Sequence, residues 1–101
     1  MDPTTRRRIG ATKLDVTVFG FGAAPIGGFR ATISETQAAA TVQAAVDAGV
    51  VFFDTSPFYG YGRSELRLGS VLRGLPRDSF VLSTKIGRVM RPMKEIGRAH
   101  V

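Results

Sequence analysis

The stretch VVFFDTSPFYGYGRSE, Val50 to Glu65, decides how this chain is read. Four apolar residues run straight into Asp54, so a strand covered on both faces ends in a charge. Pro57, Tyr59 and Tyr61 crowd the positions just beyond it. A helix then starts near Ser64, with the Glu65 carboxylate favourable at its positive end. Leu66, Leu68, Val71 and Leu72 supply its apolar side, and Gly74 and Pro76 stop it.

The same unit recurs on either side. Downstream, Phe80 to Lys85 (FVLSTK) reads as another strand. Upstream, Ser34 stands three residues before Gln37, the capping-box spacing. Residues Glu35 to Ala48 form an alanine-rich helix with Val42 and Val46 on one face, and Gly49 caps it in a left-handed conformation. Before that, Pro25, Gly27 and Gly28 forbid regular structure, and Val16 to Phe21 forms a strand ending in glycines. Arg7–Ile9 and Lys13–Asp15 read as a short hairpin turning at Gly10 and Ala11. The order is hairpin, β, α, β, α, β, which predicts a parallel sheet in an α/β fold. A closed eight-stranded barrel needs about 250 residues. The 101 residues here therefore make either a small α/β domain or the front part of something larger.

Composition is that of a globular chain, 44% hydrophobic and 22% charged. The chain contains no cysteine, which rules out a disulfide framework or a thiolate metal site and fits a reducing, cytoplasmic setting. No apolar run reaches membrane-span length, and MDPTTRRRIG lacks the apolar core of a secretory signal. The net charge of +6 raises the question of a nucleic-acid partner. The arginines beyond Arg6, Arg7 and Arg8 are scattered, and no basic–aromatic alternation occurs. No nucleic acid, membrane or metal partner is expected.

Each parallel strand ends on a residue with chemical potential: Gly22, Asp54 and Lys85, with Tyr59 five residues past Asp54. In a parallel sheet these C-terminal ends share one rim, where function gathers. With a period of two, Lys85 shares a face with Ser83 and Val81, and Asp54 with Phe52. A charge in such a mouth needs a partner, and Asp54 and Lys85 are the natural pair. A phenol titrates near 10, and an ammonium beside it favours the phenolate. Tyr59 is then a candidate general acid for a carbonyl oxygen, or a base for an alcohol. Each residue also has a plainer reading: Asp54 as a turn residue, Tyr59 and Tyr61 as rim aromatics, Lys85 as a solvated strand end. For Tyr61 the plainer reading is preferred. For the other three the conjunction points to function.

FFDTSPFYGYGRSE, Leu68–Gly69, STKIG and FGFGAAPIGG with its preceding basic hairpin resemble the aldo-keto reductases over about residues 6 to 92. Within them, GAAPIGG and KIGRVMRP look closest to the bacterial branch of aldose and pyridoxal dehydrogenases. The resemblance implies an α/β fold that is the N-terminal portion of a (β/α)8 TIM barrel, with an N-terminal β-hairpin, truncated after about the third parallel strand. It implies an NAD- or NADP-dependent interconversion of a small-molecule carbonyl or sugar and an alcohol. It matches Asp54, Tyr59 and Lys85 to three catalytic residues, with Tyr59 as proton donor. It matches Gly22, Ala23, Ala24 and Asp54 to the cofactor-binding rim. The fourth catalytic residue of that pattern is a histidine closing a fourth strand. His100, the only histidine, lies in EIGRAHV without strand context, so the role is not carried to it.

Residues 1–94 are thus expected to be a partial barrel and residues 95–101 a non-native tail. One back-translation of EIGRAHV, GAG ATC GGA AGA GCA CAC GTC, reads as the start of a common sequencing adapter. The absence of that nucleotide string from the gene record would dispose of the idea. Two rivals make different predictions. A doubly wound dinucleotide-binding sheet would use Gly20 and Gly22, but Pro25 occupies its third glycine position and its strand order would reverse. A small basic non-catalytic binding module would cluster its arginines and leave Asp54 and Lys85 apart.

Overall fold

The computed structural model describes residues 2–28 and 31–87. Residues 95–101, His100 among them, lie outside the described residues. Strands β1 (Arg6–Arg8) and β2 (Asp15–Thr17) pair antiparallel, with Arg6 opposite Thr17 and Arg8 opposite Asp15. The hairpin is therefore wider than the expected turn at Gly10 and Ala11. The Thr12 amide donates to the Ile9 carbonyl at 3.0 Å and the Ile9 amide to the Leu14 carbonyl at 2.9 Å, which consumes residues 9–14 in the loop. The expected strand from Val16 to Phe21 is split. The buried Thr17 hydroxyl donates to the Phe19 carbonyl at 2.6 Å, a local side-chain bond that competes with the ladder and turns the chain. Only Phe21–Gly22 remains for β3.

The rest follows as α1 (Glu35–Asp47), β4 (Phe52–Asp54), α2 (Arg63–Leu72) and β5 (Val81–Ser83). Short 3₁₀ turns cover Pro25–Gly27 and Arg77–Ser79, and a tight turn with left-handed residues at Gly60 and Tyr61 covers Tyr59–Gly62. Strands β3, β4 and β5 form a parallel sheet in sequential order, with Gly22 beside Asp54 and Asp54 beside Ser83. No reversal of strand order occurs among the described residues; a dinucleotide-binding doubly wound sheet reverses only at its fourth strand, so this order is common to both folds. Strands β4 and β5 are shorter than the sequence suggests, and Lys85 stands two residues past the end of β5.

Helix α1 is closed at both ends by its own residues. The Ser34 hydroxyl accepts the Gln37 amide at 3.1 Å, and Gln37 Oε1 accepts the Ser34 amide at 3.1 Å. At the other end Gly49 takes φ +94°, while the Gly49 and Val50 amides donate to the carbonyls of Val46 and Ala45. That is the Schellman pattern. Ala38 and Val42, one turn apart, are fully buried.

Helix α2 buries a stripe of Ser64, Leu68 and Leu72, one turn apart each. Leu66 lies on the far side of that stripe and is 75% exposed, contrary to the sequence reading. Phe53, at the centre of β4, faces both helices within a core that includes Ala23, Ile26 and Phe80. Its ring meets that of Phe21 at 5.8 Å. Arg67 ties the layers together: Nε donates to Glu35 Oε1 and Nη1 to the Ile26 carbonyl, both at 2.6 Å. Its side chain is only 10% exposed.

Candidate active site

The site forms at the C-terminal ends of β3, β4 and β5. The parallel register puts Gly22, Asp54 and Ser83 in one row. The sheet's backbone bonds continue past the strands: the Ala23 amide donates to the Asp54 carbonyl at 2.8 Å and the Thr55 amide to the Ser83 carbonyl at 2.9 Å. The Asp54 carboxylate accepts the Ser83 hydroxyl on Oδ1. On Oδ2 it accepts Lys85 Nζ at 3.0 Å. A second Lys85 Nζ bond goes to the Thr55 carbonyl at 2.9 Å. The ammonium is thus fixed from two sides while the lysine stays about half exposed.

Tyr59 comes in from the β4–α2 loop. Lys85 Nζ lies 5.1 Å from the centroid of its ring. The three sequence-predicted groups therefore meet, as the basic-module alternative does not allow. The bond from Ser83, and less strongly the bond and charge of Lys85, hold the Asp54 carboxyl below its ordinary range against the opposing effect of burial. Asp54 in turn raises Lys85 above the usual lysine value, chiefly through their hydrogen bond, with smaller contributions from Tyr59. Both groups are charged throughout the neutral range.

Two clefts share the Phe58–Tyr59 wall. One, about 250 Å³, is lined by Ser56, Pro57, Lys85 and Ile86. The other, about 560 Å³, runs past Ala24, Gly27, Gly28, Gly60, Tyr61 and Arg63. Tyr61 is 59% exposed and meets Phe58 edge-on at 5.6 Å, a rim aromatic as read from the sequence. Among the cofactor candidates, Gly22 is exposed and has open space where a side chain would stand. Ala24 lines the larger cleft. Ala23 is fully buried, and both its backbone polar groups are occupied.

Sequence reading missed the residues that hold this rim together. Ser64 does not cap α2: its hydroxyl donates to the Ala23 carbonyl at 2.7 Å and bonds the Thr55 hydroxyl at 2.7 Å, all out of contact with solvent. The alternation places Ser83 on the Lys85 face, but no local signal marks its bond to Asp54. Thr84 donates to Glu65 Oε2 at 2.7 Å, linking the segment that carries Lys85 to the first turn of α2. Among the described residues no cluster of three His, Cys, Asp or Glu could hold a metal, and no helix is long and apolar enough to cross a membrane.

The profile of the Aldo/keto reductase family matches residues 18–101. The chain belongs to this family. It is 45% identical over 92 residues to a D-threo-aldose 1-dehydrogenase from a Pseudomonas species, covering 91% of this chain and 28% of that protein. It is 47% identical over 85 residues to a pyridoxal 4-dehydrogenase from Microbacterium luteolum, covering 84% and 25%. Among solved structures, it superposes on an aldo-keto reductase from Bacillus halodurans in its holo form with a TM-score of 0.75 at 27% identity, covering 94% of this chain and 29% of that one. It also matches an aldo-keto reductase from Klebsiella pneumoniae in complex with NADPH, with a TM-score of 0.60 at 32% identity, over 71% of this chain and 24% of that one. The fold is the N-terminal portion of an aldo-keto reductase barrel. The chain spans about a quarter of the length of the curated relatives it matches.

Proposed function

We propose that this segment supplies the proton-transfer centre of an aldo-keto reductase that interconverts a carbonyl compound or sugar with an alcohol, using NADP or NAD. One observation carries the reading: a single ammonium, Lys85 Nζ, is bonded to Asp54 at 3.0 Å and lies over the Tyr59 ring at 5.1 Å, at the C-terminal rim of the sheet.

Gly22, beside Asp54, leaves open space at its Cβ position, and the half-buried Ala24 borders the larger cleft. These residues fit a nicotinamide cofactor, which Gly22, Ala24 and Asp54 would hold. A nicotinamide bound there would supply or accept the hydride. In reduction the Tyr59 hydroxyl gives its proton to the carbonyl oxygen, and in oxidation it takes one from the alcohol. The fixed Lys85 ammonium stabilises the charge that develops on the phenol oxygen, with little reorganisation required of it. Asp54 orients that ammonium and keeps it charged. Ala23 positions the rim from the core.

Tyr59→Phe in a full-length reductase carrying this segment tests the assignment. Turnover is expected to fall by orders of magnitude, with cofactor affinity nearly intact. Equal turnover would remove Tyr59 from the mechanism. The 101-residue chain by itself is expected to be inactive and marginally folded, because among the described residues β3 and β5 each have a strand partner on one side only. A cooperative melt with reductase activity from residues 1–101 would contradict this.

A further inference from the structure

We propose that the backbone contact between Gly27 and Gly60 sets the position of the Tyr59 phenol, making these two glycines positioning residues for the proton transfer; the inference rests on the Tyr59 reading above. The 3₁₀ turn Pro25–Gly27 and the tight turn Tyr59–Gly62 press directly against each other. A methyl group on Gly60 would collide with the Gly27 carbonyl oxygen and stand 2.8 Å from its carbonyl carbon and its Cα. A methyl group on Gly27 would stand 2.9 Å from the Tyr59 carbonyl carbon and oxygen and 3.0 Å from the Gly60 nitrogen. Every atom involved is backbone, so no rotamer change can relieve the overlap.

The two glycines are required for different reasons. Gly60 has φ +63° and opens a run of three left-handed residues, with Tyr61 at +53° and Gly62 at +98°. Turn chemistry alone accounts for a glycine there. Gly27 has no positive φ, whereas its neighbour Gly28 has φ +94° and closes the turn. Nothing in the local conformation of residue 27 demands glycine. The close approach of the Tyr59–Gly60 peptide does.

That peptide adjoins the Cα bearing the phenol. The turn it rests on is itself anchored: Ile26 is 1% exposed and its carbonyl accepts Arg67, and Gly27 is buried. The phenol is thus registered against the loop after β3, while the ammonium it faces arrives from beyond β5. A displacement of a few tenths of an ångström at residue 27 passes directly to the ring, and misplacement of about 1 Å at such a centre can cost on the order of a hundredfold in rate.

Gly27→Ala and Gly60→Ala in a full-length reductase test this, with Gly69→Ala as control, since Gly69 on α2 has open space at its Cβ position. We expect Gly27→Ala to lower kcat by about tenfold or more, with cofactor Kd and substrate KM changed less than about twofold and Gly60→Ala more severe. With 13C-labelled lysine, the Lys85 ε-methylene resonance is expected to be displaced upfield by the Tyr59 ring. Tyr59→Leu should abolish that displacement and Gly27→Ala should reduce it; Gly69→Ala should leave both it and kcat unchanged. A folded Gly27→Ala enzyme with normal kcat and an unchanged Lys85 resonance overturns the proposal, even if its melting temperature drops. If Gly60→Ala does not fold, Gly27→Ala decides, because it carries no φ penalty. Failure of both to fold overturns it too, since the contact would then be a condition of folding. Should Tyr59→Phe keep its turnover, the functional reading fails, yet the Lys85 resonance still reports whether Gly27 places the ring.

Discussion

The two helices begin in opposite ways. Helix α1 starts with a capping box and ends in a Schellman motif, so its own residues satisfy its exposed amides and carbonyls. Helix α2 starts after three left-handed residues, with Gly62 at its N-cap position and no side-chain cap. Distant parts of the chain hold its first turn: the Ala23 carbonyl and the Thr55 hydroxyl grip Ser64, and Thr84 binds Glu65. The first helix obeys rules that would apply in any protein. The second is positioned by the sheet it serves, and its leading loop carries Tyr59. Chemistry has gathered where local rules give way to long-range contacts.

Stability measurements by urea unfolding of a full-length reductase can break that contrast or sharpen it. The largest effect is expected from Leu68→Ala, which empties a fully buried position between α2 and the sheet and should cost about 2–5 kcal/mol. Ser64→Ala comes next, at about 1–3 kcal/mol, because it strands the buried Ala23 carbonyl and Thr55 hydroxyl. Ser34→Ala, which removes the local cap of α1, should cost about 1 kcal/mol. Equal losses for the two serines would erase the distinction between the helices.

A smaller, pH-dependent effect belongs to the rim. The folded carboxyl of Asp54 titrates below its ordinary 3.8, so its stabilising contribution is present above that value and is lost as pH falls through the folded value. Lys85 is raised above 10.5, so its contribution holds below that value and is lost as pH rises through the folded one. Asp54→Asn should therefore destabilise at neutral pH, and its difference from wild type should close in acid; a constant difference down to pH 2 would show that the charge is not involved. Leu66→Ala, on the exposed side of α2, is expected to stay within about 0.5 kcal/mol.

Much of this was legible in the residues. The capping box, the glycine stop at Gly49 and the alternation of strand and helix are local signals, and the structure contains all three. The meeting of Asp54, Lys85 and Tyr59 followed from a parallel sheet delivering strand ends to one rim. Two of the departures come from unrecognised hydroxyls. Thr17 divides a strand by bonding its own backbone, and Ser64, read only as the start of a helix, is a buried bridge over 41 residues of sequence. A polar residue at the first position of an apolar stripe, one turn before Leu68, was the available signal for Ser64. Leu66 is apolar but falls off the Ser64–Leu68–Leu72 period, so its residue type alone misstates its place.

Arg67 has an implication for building hybrids of this barrel. Its guanidinium belongs to the second βα unit, but both its partners, Glu35 and the Ile26 carbonyl, belong to the first. A recombination breakpoint between residues 35 and 67 would pair it with a stranger's surface and leave a nearly enclosed cation without its counterion. Library designers shuffling homologous segments should inherit residues 26 through 67 as one cassette.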